Sequence, residues 1–539
     1  MSFDILIRNG RVADGTGNPW FWSDIGIKDG RIAAMGDLSG EDGEKVIDAS
    51  GLVISPGFID IHTHSDTVLL VNPTGDSHIM QGVTTNLIGN CGGSVAPVSE
   101  PMKRRYEVML RRYDLEIDWT TLGEFLEKVE EKGTSLNVAS LVGNATVRMA
   151  VMGMERRAPT KEELEEMKDL VAEAMEDGAF GLSTGLFYAP SGYASTDEVV
   201  ELAKVAAEYG GIYATHIRGE GDPLIEAVRE AIEIGERAGI PVEISHHKAM
   251  GKRNWGKVKE TLRMMEEARR RGIEVTCDVY AWRAGSTGLT ATLPHWVHEG
   301  GLERLLERLR DPETRQRIKR EMAEGTPGWE SIVHEIGWEN VMISGCPGHR
   351  EYEGKRVAEL AEEKGVDPYD FAFDLLIEEK GRVWMVIFGM SPEDVATVIK
   401  SPLSMIASDS SAIAPRGPLG EGKPHPRTYG NFVKVLGEYV REKRLLTLEE
   451  AVRKMTSMPA QKLGLLDRGL LRVGNWADVV IFDPDRVASR ATYLDPHQFP
   501  VGVEWVIVNG VVTVEKGKHT GARAGKVLRK SAVRYGKRL

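Results

Sequence analysis

The chain has 539 residues, 41% of them hydrophobic and 28% charged, and a formal net charge of −13 at pH 7. This length predicts one large domain with a smaller companion. The acidic balance disfavours nucleic acid as a partner, and no apolar run reaches the roughly 20 residues of a membrane span. Its three cysteines are too few for a disulfide framework, and the N-terminus lacks a secretory signal, so a cytoplasmic location is expected.

Both ends of the chain carry alternating apolar segments that are typical of β-strands. Three Asn-Gly or Asp-Gly pairs lie between such segments, at Asn9-Gly10, Asp29-Gly30 and Asn509-Gly510. These pairs favour two-residue hairpin turns. We therefore predict that residues 1–56 and 470–525 form one small β-sandwich domain built from both termini.

Between the ends, short β-rich runs alternate with amphipathic helical stretches, which is typical of βα units with parallel strands. Eight such runs end at His64, Asn90, Asn144, Leu186, Ile217, His247, Tyr280 and Ser410. They predict an α/β fold with a (β/α)8 TIM-like barrel over residues 57–469. The long interval from Ala281 to Leu403 contains charged helical sequence and is interpreted as an inserted lid subdomain, assigned to residues 285–350.

Polar residues concentrate at the ends of these runs, where a barrel of this kind carries its catalytic groups. They are His62, His64, Cys91, His216, His246, His247 and Asp409. A lone cysteine is more often a buried small side chain, and one of the first two histidines could be structural. Cys, His and carboxylate groups converging from separate strands are nevertheless the composition of a catalytic zinc site.

Seven motifs occur in the order GFIDIHTH, GNCGGSVAP, STGLFY, ATHIRGEGD, ISHHK, SDS and PHPR. With them the chain resembles the D-aminoacylase (N-acyl-D-amino-acid deacylase) family of the amidohydrolase superfamily, from about Asp4 to Gly517. The HxH motif alone indicates only the superfamily, whereas GNCG is more specific. Strand four ends in Ser183-Thr184-Gly185, so a binuclear site bridged by a carboxylated lysine is not expected.

The resemblance implies zinc-dependent hydrolysis of the acyl amide bond of N-acyl-D-amino acids to a carboxylate and a free D-amino acid. The ligands it implies are Cys91, His216 and His246 for one tight Zn²⁺, with His62, His64 and Asp409 around a second, weaker position. His246 is chosen over His247 on the resemblance, since neighbours on a strand face opposite ways. Zinc-bound hydroxide would attack the amide, with Asp409 as general base and then acid.

The substrate's carboxylate requires counter-charge and hydrogen-bond donors near the metal. The resemblance implies Lys248, Tyr280, Ser286 and Arg427 for this role. Phe187 and Tyr188 follow the fourth predicted barrel strand and are candidates for the pocket that holds the substrate's side chain. The loop from Leu289 to His298 contains no Lys or Arg. Because an unpaired buried carboxylate is costly, this absence favours apolar D-residues.

Two other functions are compatible with parts of the sequence. A hydantoinase-like cyclic amide hydrolase shares the fold and the HxH motif, but it would leave Cys91 and the PHPR motif unexplained. A catalytically inactive amidohydrolase-fold binding protein would be expected to lack ligands, whereas each expected position is occupied.

Overall fold

The computed structural model describes residues 2–100, 102–103, 110, 113–326 and 328–531. The strands are β1 Ser2–Val12, β2 Phe21–Lys28, β3 Arg31–Gly36, β4 Asp42–Asp48, β5 Val53–Pro56, β6 Phe58–Asp60, β7 Val83–Ile88, β8 Asn137–Ser140, β9 Val142–Gly143, β10 Gly181–Gly185, β11 Ile212–His216, β12 Val242–Ile244, β13 Val275–Val279, β14 Gly285–Gly288, β15 Val341–Gly345, β16 Trp384–Ile387, β17 Ser404–Ile406, β18 Val479–Phe482, β19 Val503–Val508, β20 Val511–Glu515 and β21 Lys518–His519.

The helices are α1 Val68–Val71, α2 Asp76–Ile79, α3 Leu122–Lys132, α4 Asn144–Met152, α5 Lys161–Glu176, α6 Thr196–Glu208, α7 Leu224–Ala238, α8 Val258–Arg270, α9 Leu302–Arg310, α10 Pro312–Glu324, α11 Ile332–Ile336, α12 Val357–Lys364, α13 Pro368–Glu378, α14 Pro392–Lys400, α15 Arg427–Lys434, α16 Leu448–Met455 and α17 Ser457–Leu463. A π-helical stretch, Val435–Glu442, continues α15. Among the described residues, no helix combines the length and the apolar character that crossing a membrane requires.

Strands from both ends of the chain join in one sheet. Its order is β21-β20-β19-β18-β5-β1-β2-β3, with β4 beside β1. The two ends meet where β5 and β18 pair as antiparallel neighbours. Ile5 and Ile7 of β1 lie in the same buried apolar cluster as Ile481 and Ile507. The predicted β-structure from both termini is confirmed, while its limits at residues 1–56 and 470–525 stay a prediction.

Two of the three predicted hairpin turns join strands of this sheet. Asp29 (φ 50°) and Asn509 (φ 49°) begin the turns between β2 and β3 and between β19 and β20. The turn predicted at Asn9-Gly10 is wrong, because Asn9 (φ 61°) lies inside β1 at a bulge in its pairing with β2. Its backbone N–H donates to Asp24 Oδ1 at 3.0 Å, which stabilises the bulge.

Parallel strands form the predicted barrel. One run of pairs joins β6, β7 and β8, and a second joins β9 through β13 to β17. The first and last strands close the ring: His64 N–H donates to Ser410 O at 2.9 Å, and Asp409 N–H donates to His62 O at 2.9 Å. This closure places the segment after β6 directly beside the segment after β17.

Several helices between the barrel strands, among them α3, α5 and α6, begin at a side-chain cap and bury one apolar face. Before α5, the Thr160 hydroxyl accepts from Glu163 N–H at 3.2 Å, and the Glu163 carboxylate accepts from Thr160 N–H at 2.7 Å. This reciprocal cap satisfies two N–H groups that the helix leaves free. Met167, Val171 and Ala174 then face the barrel and are buried.

The segment between β13 and β17 builds a separate unit on the barrel. Its strands form an antiparallel sheet in the order β14-β16-β15, accompanied by α9 to α13. It has its own apolar core, which includes Leu305, Ile318, Phe373 and Met385. The predicted limits of 285–350 stop short of β16, which pairs with both β14 and β15. We therefore propose that the inserted unit extends from β14 at least to β16.

Candidate metal centre and substrate cavity

The six predicted metal-ligand side chains lie together at the C-terminal end of the barrel strands. Their ligand atoms form three overlapping groups, and within each group all atoms lie within 4.8 Å of one another. The groups are Cys91, His216 and His246; His62, His64 and Cys91; and His62, His246 and Asp409. The structure therefore brings the whole predicted set into one cluster.

The first group has distances that suit zinc. Cys91 Sγ lies 3.9 Å from His216 Nδ1 and 3.7 Å from His246 Nε2. A tetrahedral zinc with bonds of about 2.3 Å to sulfur and about 2.0 Å to nitrogen holds such atoms about 3.6 Å apart. One sulfur and two nitrogen ligands leave a position open, as in catalytic zinc sites.

The remaining ligands adjoin this group. Asp409 Oδ1 lies 3.1 Å from His64 Nε2 and 3.5 Å from His62 Nε2. Cys91 Sγ lies 3.3 Å from His62 Nε2. A second ion would therefore lie beside the first and share its surroundings.

Glycines allow the Cys91 loop to approach β10. Cys91 has a left-handed backbone (φ 51°), and a Cβ at Gly185 would lie 2.2 Å from its carbonyl oxygen. Ser183 of the same strand donates to Gly89 O at 2.5 Å and accepts from Gly92 N–H at 3.1 Å. β10, the fourth strand of the barrel, thus anchors the cysteine loop. It does so at the strand end where a binuclear site of the other type would carry its bridging lysine.

Of the two adjacent histidines after β12, only His246 faces the cluster. Its backbone is left-handed (φ 34°), and its Nε2 points toward Cys91. His247 faces α8, where its Nε2 lies 2.7 Å from the Thr261 hydroxyl. The structure therefore separates the two side chains in the way the sequence analysis expected.

Two carboxylates that were not predicted from the sequence contact two of the histidine ligands, His62 and His246. Asp278 Oδ2 lies 3.1 Å from His62 Nδ1, and its Oδ1 accepts from His246 N–H at 2.8 Å. Glu220 Oε1 lies 2.9 Å from His246 Nδ1. Asp278 lies one residue before the end of β13, in EVTCDVY, and Glu220 lies four residues after the end of β11, in IRGEGD. An acidic residue this close to the C-terminal end of a barrel strand was the sequence signal for these two contacts.

Electrostatics favours the ionised ligands. Burial alone would raise the pKa of the Cys91 thiol, but His62 and a hydrogen bond to His216 hold this pKa well below its ordinary value. Burial would also raise the pKa of Asp409, but Arg427 and His246 hold it well below its usual range. A thiolate and a carboxylate are the forms that bind a metal cation.

A cavity of about 540 Å³ opens onto the cluster. Four predicted substrate-binding residues line it, namely Lys248, Tyr280, Ser286 and Arg427. Phe187 instead lines an adjoining cavity of about 200 Å³, and its ring lies 5.5 Å from that of His216. Its neighbour Tyr188 lines both cavities.

Arg427 is the most distinctive of these residues. Its Nη2 lies 2.9 Å from Asp409 Oδ2, and the guanidinium lies 4.5 Å from the centre of the Tyr280 ring. The side chain is almost fully buried, yet its Nε and Nη1 have no hydrogen-bond partner among the described residues. A buried guanidinium with unpaired N–H groups beside a cavity is suited to binding an anion.

Fold and donor set together define a (β/α)8-barrel protein equipped to hold divalent metal ions. The chain belongs to the amidohydrolase family, whose model matches residues 45–514, in the branch that contains the N-acyl-D-amino-acid deacylases. It is 36% identical to D-aminoacylase of Alcaligenes xylosoxydans xylosoxydans over 98% of each chain. It is 37% identical to N-acyl-D-aspartate deacylase of the same organism over 97% of this chain and 95% of the relative.

A solved structure extends the likeness to three dimensions. N-acyl-D-glutamate deacylase of Bordetella bronchiseptica, complexed with zinc and a phosphonate mimic of the tetrahedral intermediate, matches with a TM-score of 0.83 and 35% identity. The match covers 98% of this chain and 100% of that one. Two of these names specify an amino acid, aspartate in one and glutamate in the other, and the third specifies none, so family membership leaves the substrate side chain open.

Proposed function

We propose that this protein is a zinc-dependent hydrolase that cleaves the acyl amide bond of N-acyl-D-amino acids. One observation carries the proposal: Arg427, with two unpaired nitrogen atoms, is buried beside Asp409 at the edge of the Cys91 cluster. A metal site for hydrolysis and an anchor for a carboxylate thus lie in one cavity. The named activities of the three relatives agree with this arrangement. A cytoplasmic location is part of the proposal.

We assign the tight zinc to Cys91, His216 and His246, because their sulfur and nitrogen atoms have the spacing of a tetrahedral site. His62, His64 and Asp409 are assigned to the second, weaker position. When bound, zinc supplies a nucleophile from water near neutral pH and polarises a carbonyl.

The protein's own groups perform the remaining steps. Asp409 accepts the proton of the attacking water and later delivers it to the leaving nitrogen. Arg427 and Tyr280 hold the substrate's carboxylate, with Ser286 and Lys248 on the same cavity wall. This anchoring holds the scissile amide over the metal position. The attack of the nucleophile on the amide then proceeds within one complex, as an effectively unimolecular step.

An assay across both enantiomers tests the proposal. Acetyl derivatives of D- and L-forms of Leu, Phe, Met, Glu and Asp are offered to the purified protein, and zinc content is measured on the same sample. We expect hydrolysis of D-forms only, by a zinc-containing protein. A hydantoin is offered as a further substrate, and its hydrolysis in preference to all the acetyl-amino acids would favour the hydantoinase-like alternative. A zinc-free protein without hydrolytic activity would favour the inactive binding protein.

We predict that Arg427→Ala lowers kcat/KM for acetyl-D-leucine by roughly thirtyfold to several thousandfold. Loss of a buried, charged hydrogen-bond partner costs about 2 to 5 kcal/mol. Arg427→Lys should also be damaging, because an ammonium cannot offer the planar two-point contact of a guanidinium. The measurement is kcat/KM with the free acid and with its α-amide.

The substrate pair separates anchoring from damage to Asp409, which Arg427 also contacts. The wild type should hydrolyse the α-amide poorly, and Arg427→Ala should lose much less on it. Arg416→Ala is the matched control, because this arginine lies in the same loop, is 70% exposed and pairs with Asp76. Equal efficiency of the wild type on acid and amide would show that Arg427 does not bind the α-carboxylate.

The preference for the substrate's side chain is predicted from the Lys and Arg residues that line the cavity. The loop from Leu289 to His298, on which the sequence analysis based this preference, lines the adjoining cavity instead. Among the described lining residues, the Lys and Arg side chains are Lys248, Arg350 and Arg427. Lys248 Nζ lies 2.6 Å from Glu220 Oε1, and Arg350 Nη2 lies 2.9 Å from Glu421 Oε2. Both charges are therefore already balanced within the protein.

We expect acetyl-D-leucine, -methionine or -phenylalanine to have a higher kcat/KM than acetyl-D-glutamate or -aspartate. Burial of an apolar side chain stabilises the complex by about 1.5 to 3 kcal/mol, whereas burial of an unpaired carboxylate destabilises it by several kcal/mol. A best substrate with an acidic side chain would refute this expectation. In that case Arg350→Ala would show whether this arginine leaves Glu421 to bind the second carboxylate.

A further inference from the structure

The inserted unit touches the barrel close to the metal ligands through Glu330, which lies between α10 and α11. Its Oε2 accepts hydrogen bonds from the backbone N–H groups of Glu220 and Gly221, both at 2.7 Å. Glu330 is buried, and a Cβ at Gly219 would lie 2.7 Å from the same oxygen. The glycine therefore leaves room for this carboxylate against the loop that follows β11.

The same loop carries the Glu220 side chain to the metal ligand His246. Glu220 Oε1 lies 2.9 Å from His246 Nδ1 and 2.6 Å from Lys248 Nζ. Lys248 Nζ also lies 2.7 Å from His246 Nδ1. When Nε2 binds the metal, a neutral ring carries its proton on Nδ1, and of these two neighbours only the Glu220 carboxylate can accept it. A carboxylate in this position fixes both the tautomer and the orientation of the ring.

Lys248 supplies a counter-charge for the buried Glu220 carboxylate, since its Nζ lies 2.6 Å from Glu220 Oε1. The backbone of Glu220 is also tied to the loop after β12, since its carbonyl accepts from Met250 N–H at 2.7 Å. Its side chain and its backbone are therefore both held in place.

A second contact of the inserted unit reaches the loop after β12. Glu335 of α11 accepts from Asn254 Nδ2 at 2.8 Å and from Arg253 Nη2 at 2.8 Å. A Cβ at Gly251 would lie 2.8 Å from the Glu335 carboxylate. The unit thus engages the loops that follow both strands whose ends carry His216 and His246.

We infer that Glu220 and Glu330 are positioning residues of the metal centre, through which the inserted unit holds His246 in the orientation that binds zinc. The inference rests on the proposed function, because it concerns the retention of zinc. It gives the inserted unit a role in metal binding, because a properly docked unit tightens the hold on zinc.

The test measures zinc dissociation constants of the full-length protein by competition with a chelator, together with the visible spectrum of the cobalt-substituted form. We expect Glu220→Gln to weaken zinc binding by roughly 10- to 100-fold, the usual effect of losing an outer-shell partner. Glu330→Ala should weaken it about tenfold. Glu330→Gln should restore most of the loss, because its amide oxygen still accepts both N–H groups. The cobalt bands should shift in the weakened variants, since the ligand geometry changes.

Asp394→Ala is the matched control. Asp394 is another buried carboxylate that accepts a backbone N–H, that of Gly256 at 2.9 Å near the end of the loop after β12, but among the described residues no hydrogen bond joins it to Glu220, His246 or the inserted unit. Its removal should leave zinc affinity unchanged. Zinc content and hydrolysis of the wild type are measured first, so that failure of the proposed function is recognised separately.

Zinc affinities within about twofold of the wild type and an unchanged cobalt spectrum in both Glu220→Gln and Glu330→Ala would overturn the inference. An equal loss in Asp394→Ala would also overturn it, since the effect would then be general destabilisation. If Glu330→Ala does not fold, Glu220→Gln alone decides, because it keeps the shape of the side chain.

Discussion

Replacement of Cys91 by alanine is expected to remove both the tight zinc and the hydrolytic activity. The thiolate is the one sulfur ligand of the Cys91, His216 and His246 group, and without it two imidazoles remain on that side. The loss should exceed the 10- to 100-fold in affinity that removing an outer-shell partner typically costs, about 1.4 kcal/mol per tenfold. Zinc content after dialysis and turnover of acetyl-D-leucine are the measurements.

Cys277→Ala provides the matched control for this variant. Cys277 lies on β13, is fully buried, and belongs to the apolar core. Burial raises the pKa of its thiol, which disfavours the thiolate that a metal ion would bind. We expect this variant to keep zinc and turnover, with at most a modest loss of stability. Full zinc occupancy in Cys91→Ala would show that the tight site lies elsewhere in the cluster.

The rim of the barrel could be predicted because parallel strands impose it. A βα repeat places each strand's C-terminal end on the same side, so polar residues at those ends must meet. His62, His216 and Asp409 were identified by this argument although they are far apart in the sequence. Patterning could also predict the joining of both termini, since alternating segments at each end need partners to satisfy their edges.

Local backbone conformation at the site could not be predicted in the same way. Cys91, His246 and Asp409 all have positive φ (51°, 34° and 49°), which is uncommon for residues other than glycine. Strand alternation therefore does not extend to these positions, and the resemblance to the family was needed to choose His246. Such conformations persist only where surrounding contacts enforce them, and those contacts come from distant segments.

The outer contacts were missed for a related reason. Glu330 lies 84 residues after His246 in the numbering, between α10 and α11, where an acidic residue looks like one on a solvated surface. Its burial depends on how the inserted unit packs against the Glu220 loop. The periodicity of apolar residues in a sequence predicts helices and strands, but it does not predict how two units pack together. Asp278 was read only as part of a strand. Its contacts with the His62 ring and the His246 backbone N–H depend on the meeting of three strand ends in the folded barrel.

The second large effect is expected from Asp409→Asn, which should lower kcat by about 100- to 10,000-fold while the tight zinc is retained. The amide preserves the size of the side chain and can still accept from Arg427, but it cannot take a proton from water. Asp409 does not belong to the group of Cys91, His216 and His246, so the tight site should stay filled. KM for acetyl-D-leucine should change little, because Arg427 remains in place to hold the carboxylate.

Measuring kcat, KM and zinc content on one preparation separates the possible roles of Asp409. A proton-transfer role lowers kcat alone, whereas a structural role in the cluster would lower zinc content together with kcat. Asp394→Asn, at a buried carboxylate away from the cavity, controls for the general effect of replacing such a group. Turnover within about threefold of the wild type would transfer the acid and base role to another residue. Glu220, the other carboxylate near His246, would then be examined first, because it also lines the cavity.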